Sequence, residues 1–79
     1  MSSINEELAD RLACDVIEAA DLMDDESLAA EIARLMGASS TTMEEAFMTA
    51  VRVRLAEKRG RKFLEDRVRA FEQKIKKQP

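Results

Sequence analysis

Between residues 41 and 77 the apolar residues recur at steps of three and four, with no proline and a single glycine to interrupt them. That spacing predicts one long amphipathic α-helix with its weak point at Gly60. All three aromatic residues (Phe47, Phe63 and Phe71) and eleven of the thirteen basic residues of the chain fall in this stretch. Unbroken, such a helix would extend about 55 Å at 1.5 Å per residue. A compact monomer of 79 residues cannot cover that length, so the helix either bends at Gly60 or lies against a second chain.

A chain of this size makes one small domain and buries only roughly 60% of the surface its unfolded form exposes. Disulfides, metals or further subunits usually supply the remaining stability. One cysteine and no histidine offer neither a disulfide within the chain nor a zinc set. Self-association as a homo-oligomer, or a protein partner, is therefore the expectation, and no cofactor is implied.

The net charge of −3 conceals a strong polarity along the chain. Residues 1–45 carry twelve acids against Arg11 and Arg34, a net of −10, whereas residues 46–79 carry eleven bases against four acids, a net of +7. Two readings follow. The halves fold or pair against each other, since opposite fields steer such association, or the basic half is an arm for nucleic acid or an acidic partner.

Ala, Leu, Glu, Arg and Lys dominate, and no stretch alternates apolar and polar residues as a half-buried strand would. The predicted fold class is all-α: an acidic pair of helices over residues 1–40, then a long basic helix over 41–79, all one domain and assembled as a helical dimer. Ser2 or Ser3 starts the first helix, Ser3 with Glu6 forming a capping box. Its apolar line is Ile4, Leu8, Leu12, Val16, Ala19 and Met23, widened by Ala13 and Ile17. Asp24 and Asp25 either interrupt this helix or cap the next. The second helix runs from about Glu26 to Met36 on a seam of Leu28, Ile32 and Leu35, with Ala29 and Ala33 alongside. Gly37 is placed as its left-handed stop. Thr41 with Glu44, or Thr42 with Glu45, then opens the long helix. Its apolar positions are Met43, Phe47, Ala50, Val51 and Leu55. Beyond Lys58-Arg59-Gly60-Arg61-Lys62, Leu64, Val68, Phe71 and Ile75 follow at four, three and four, a heptad pattern of coiled-coil type. The pairs Glu57/Arg61, Glu65/Arg69 and Glu72/Lys76 are spaced to support the helix across Gly60.

Chemistry is sparse. Without histidine there is no triad of the usual kind and no Glu-x-x-His metal helix, so no enzyme is expected. A calcium loop starting at Asp21 would put Met23 and Glu26 where an acid and a glycine are needed; a solvated helix junction is the better account. Cys14 reads as a small, partly buried apolar residue and the five methionines as adaptable core filler. Lys58, Arg59, Arg61 and Lys62 are the candidate nucleic-acid contacts, through phosphate rather than base edges. A membrane-surface role is disfavoured by the lack of Trp and by Glu57, Glu65, Asp66 and Glu72 within the basic half. The lone cysteine, the acidic start and the lack of a long apolar run predict a cytoplasmic protein.

Asp25-Glu26-Ser27-Leu28, then Ile32, Leu35, Gly37, Ser39, Glu45-Ala46, Ala50-Val51 and Arg54-Leu55, resemble the helix–turn–helix portion of VapB-type antitoxins. The likeness covers residues 24–59. It implies a ribbon–helix–helix dimer with an extended C-terminal helix, operator binding through a paired N-terminal ribbon, and a C-terminal segment that blocks a toxin nuclease. On that likeness Phe47, Val51 and Leu55 form a dimer core. The combined expectation is a non-enzymatic regulatory or inhibitor protein that self-associates and binds a protein partner through Phe63, Leu64, Val68, Phe71 and Ile75. The alternative is a nucleic-acid-binding repressor working through residues 58–62.

Overall fold

The computed structural model describes residues 3–77 and contains three α-helices: α1 (Ile4–Met23), α2 (Leu28–Gly37) and α3 (Thr41–Lys76). Each boundary has a local cause. The Ser3 hydroxyl accepts the Glu6 amide at 3.2 Å and so satisfies one of the free donors that begin any helix. Ser2, the other cap candidate, lies outside the described residues. At the far end Asp24 turns left-handed (φ 52°, ψ 45°), a conformation Asp tolerates better than most residues. The Asp25 amide then reaches back to the Ala20 carbonyl at 2.9 Å. Asp25 also accepts the amide and hydroxyl of Ser27 on Oδ1, at 3.1 and 2.8 Å. The acidic pair thus does both jobs: Asp24 stops α1 and Asp25 builds the turn into α2.

Gly37 does not act as a left-handed stop. No glycine among the described residues has positive φ, and α2 ends because the amides of Ser39 and Ser40 both converge on the Met36 carbonyl, at 3.0 and 2.9 Å. What Gly37 provides is room. A Cβ there would stand 2.6 Å from Oε2 of Glu44. The cap of α3 is Ser40, whose hydroxyl accepts the Met43 amide at 3.1 Å, one residue earlier than the threonines suggest. From there α3 runs 36 residues and passes through Gly60 without a break.

The short connections reverse the chain twice, so α1 and α3 run in the same sense with α2 against them. Ser3 and Glu6 border a groove with Thr42 and Glu45 at one end, and Asp21 meets Lys58 at the other. Between them lies the core: Ala9, Ala13 and Val16 of α1, Ala33 of α2, and Phe47 and Val51 of α3. Among the described residues Phe47 is the only large side chain fully enclosed. Leu12, Leu28, Ala29, Ile32, Met36, Met43, Met48 and Leu55 pack around this cluster, half-buried.

Two faces differ from the periodicity reading. In α1 the buried line is Ala9–Ala13–Val16, while Ile4, Leu8 and Met23 remain exposed. Alanines let the helix axes approach closely, and the bulk that fills the space comes from Phe47 on the opposite helix. In α2, Leu35 is exposed and Met36 takes the inward place. No strand occurs among the described residues. The ribbon of a ribbon–helix–helix protein would fall before Asp24, and that stretch is α1.

The molecule is long and thin, 63 × 33 × 13 Å, with a radius of gyration of 17.3 Å. A compact domain of this length would have a radius of roughly 12 Å. The excess comes from α3, which leaves the three-helix body after Leu55 and continues as a bare arm: every described residue from 56 onward is exposed.

Candidate interaction surface

The arm carries a group of large apolar side chains that the body does not cover. Phe63, Leu64, Val68, Phe71 and Ile75 are between 46% and 63% exposed. Four of them share one stripe, because steps of four, three and four keep returning to the same side of a 3.6-residue helix. Phe63 lies roughly 100° round the helix from Leu64, outside that stripe. Its ring is occupied instead by Arg67, whose guanidinium carbon sits 5.1 Å from the ring centroid, in range for a cation–π contact. Arg67 is four residues on from Phe63, so ordinary helical spacing predicts this stack once it is sought.

Ion pairs at the base of the arm and along its other sides hold it helical. Arg61 meets Glu57 at 2.6 Å. Asp66 receives Lys62 at 3.0 Å and Arg69 at 2.7 Å. Arg69 therefore pairs with Asp66 three residues back rather than with Glu65, and the expected Glu72/Lys76 pair does not occur among the ion pairs of the described residues. The hydrogen bonds from Arg69 and then Lys62 hold the Asp66 carboxyl below its ordinary value. Such exposed pairs add only slightly to helix stability.

At the junction of arm and body the two charge fields meet within one chain. Arg54 grips Asp10 with both prongs of its guanidinium, at 2.7 and 2.8 Å, the fork geometry that suits a carboxylate. This hydrogen bonding lowers the Asp10 pKa and raises that of Arg54. Lys58 reaches Asp21 at 2.6 Å. Neither contact is local in sequence, so spacing gave no sign of which acid each base would choose. Asp10, Cys14, Ile17, Arg54, Glu57 and Lys58 line an open groove here, and Cys14 is a half-buried free thiol.

The basic run is largely balanced by these contacts. Lys58 is held by Asp21, Arg61 by Glu57 and Lys62 by Asp66, while Arg59 takes part in none of the ion pairs among the described residues. The residues expected to form a dimer core are also accounted for differently. Phe47 and Val51 are buried, and Leu55 half-buried, inside the chain's own three-helix body. Closure of α1 and α2 over the first half of α3 encloses Phe47 and Val51, while Leu55 keeps part of its surface at the edge of the body.

The acids at the α1–α2 junction have structural partners: Asp21 in its ion pair, Asp24 and Asp25 in the turn. No group of three His, Cys, Asp or Glu among the described residues is placed to hold a metal ion. No described helix is long and apolar enough to cross a membrane. Compared with protein-family models, curated proteins and solved structures, the chain matches none.

Proposed function

We propose that this chain is a non-enzymatic regulatory or inhibitor protein, antitoxin-like in its use of a C-terminal segment, which self-associates and binds protein through the arm of α3. The observation that carries this reading is the apolar stripe on a helix that has already left its own core. Fully burying a Val, Leu, Ile or Phe side chain is worth about 1.5–3 kcal/mol. About half of each arm side chain still faces water, so each has about 1 kcal/mol left to give. A helix laid along the stripe recovers that from both sides, in the helix-in-groove manner. Association itself costs about 4–15 kcal/mol, so the arm favours a partner whose own apolar face matches it in length and spacing.

The test is the Val68→Asp/Phe71→Asp double variant, which sets two charges in the stripe and touches nothing in the body. Its circular dichroism should stay helical while its mass by light scattering falls to that of a monomer and copurification of any bound protein is lost. Unchanged mass and unchanged copurification would defeat the proposal. The alternative, a repressor gripping nucleic acid through Lys58, Arg59, Arg61 and Lys62, requires the pairs to Asp21, Glu57 and Asp66 to open. Duplex DNA binding that weakens steeply with salt, and disappears in an Arg59→Ala/Arg61→Ala variant, would install that reading instead.

A further inference from the structure

We infer that the helix seated on the arm is the same arm of a second copy, running parallel and in register. This rests on the reading of the stripe as a docking surface and adds to it the identity and direction of the occupant. Setting Leu64 at the d position of a heptad places Arg61, Val68 and Ile75 at a, and Leu64 and Phe71 at d. β-branched residues at a with Leu at d are the pattern of parallel two-stranded coils. Here Val68 and Ile75 take both apolar a positions, and all four apolar seam residues are exposed.

The flanks select the direction. Glu65 and Glu72 fall at e, and Arg67 and Lys74 at g, so one border of the stripe is acidic and the other basic. In a parallel pair each g residue faces the e residue of the next heptad on the other helix. Arg67 of each copy then meets Glu72 of the other, twice by symmetry. An antiparallel pair sets g against g and e against e, which opposes Arg67 to Lys74 and Glu65 to Glu72. The arm is therefore complementary to itself in one direction and self-repelling in the other.

Three details of the arm agree with this arrangement. The Phe63 ring supports Arg67 by its π face, which leaves the N–H edge of the guanidinium for a carboxylate across the seam. Arg61, the polar residue at a, pairs with Glu57 at the preceding d position of its own helix, and one polar a position is a register marker in such coils. Gly60 has open space where a Cβ would stand, at the point where two zipped arms part toward their bodies.

The experiment uses the full chain with Cys14→Ala, so that introduced thiols stand alone. Leu64→Cys and Ile75→Cys are each oxidised separately and then as a mixture. Parallel, in-register arms give a disulfide-linked dimer from each variant by itself, and only same-with-same dimers from the mixture. Cross-linking found only between the two different variants is the antiparallel result and overturns the inference. In the second arm of the test, Arg67→Glu should weaken the dimer about tenfold by making both flank pairs repulsive, and Arg67→Glu/Glu72→Arg should restore it. No effect of the single reversal, or no recovery in the double, counts against the parallel pair. If the wild-type chain stays monomeric but the Val68→Asp/Phe71→Asp change still abolishes capture of another protein, the second copy is the wrong occupant and the docking surface stands. If that change alters nothing at all, both fall.

Discussion

Consider a chain that ends at Arg59. Among the described residues every buried or half-buried apolar side chain lies at or before Leu55, and Arg54–Asp10 and Lys58–Asp21 join α3 to α1. Truncation there removes no core contact. It frays one helix end, deletes the Glu57–Arg61 pair, worth about 0.2–0.5 kcal/mol, and weakens the exposed Lys58–Asp21 pair, worth about 0–1 kcal/mol. The body should lose about 1 kcal/mol in total, against a stability of roughly 4–12 kcal/mol for a domain of this length. Because the chain has no Trp or Tyr, urea unfolding is followed by far-ultraviolet circular dichroism, at several protein concentrations. At the dilute end, where both forms are monomeric, their stabilities should agree within that margin. As concentration rises the full chain alone should gain stability, by about 2.7 kcal/mol at one-hundredfold excess over the dissociation constant. A deficit above about 3 kcal/mol at the dilute end is the size expected for losing a large core side chain. It would mean that the arm belongs to the core, and the division into body and arm would be wrong.

The remaining predictions concern the body. Phe47→Ala empties a fully enclosed large site and should cost about 3–5 kcal/mol, read as a lower urea midpoint or outright unfolding. Outside the body, Gly60→Ala, in an open helical position of the arm, should strengthen the arm's helix by up to about 1 kcal/mol, read as slower amide exchange there, with the body's urea midpoint little changed. Gly37→Ala should be near neutral in the urea assay, because the clash is with the tip of the Glu44 side chain, which can swing aside; a large loss would mean that Glu44 is held where it lies. The Asp10 carboxyl has its pKa lowered by the Arg54 hydrogen bonds. Its contribution is therefore present above the unfolded value, near pH 4, and is lost as pH falls through the lower folded value. Asp10→Asn should flatten that part of the acid-unfolding curve and leave the neutral-to-alkaline part unchanged in slope.

Much of this architecture is legible in local chemistry. Ser3 caps α1, Asp24 and Asp25 mark the turn, and the three- and four-residue steps of α3 are visible without coordinates. What is not legible depends on the neighbouring helix. The side of α1 bearing Ile4 and Leu8 is the more apolar, yet α3 settles on Ala9 and Ala13 because Phe47 needs space that only small residues leave. Gly37 sits where a stop belongs, and its role is set by the Glu44 side chain that arrives from the next helix. The stripe of the candidate surface is readable from spacing, but its separation from Phe47, Val51 and Leu55 is not. Both groups are apolar and helical, and only closure of α1 and α2 over one of them tells inside from outside. The pairing of Arg54 with Asp10 is hidden for the same reason, being a contact between residues 44 positions apart.

The continuity of α3 from Thr41 to Lys76 makes the protein behave as a keyed shaft. No hinge lies between the body and the seam, so one fixes the heading of the other. A single residue inserted after Gly60 would swing the seam by about 100°. Seven would return it to within about 20° and carry it about 10 Å farther out. Whatever the arm holds is thereby aimed, at a set distance and bearing, by counting residues along one rod.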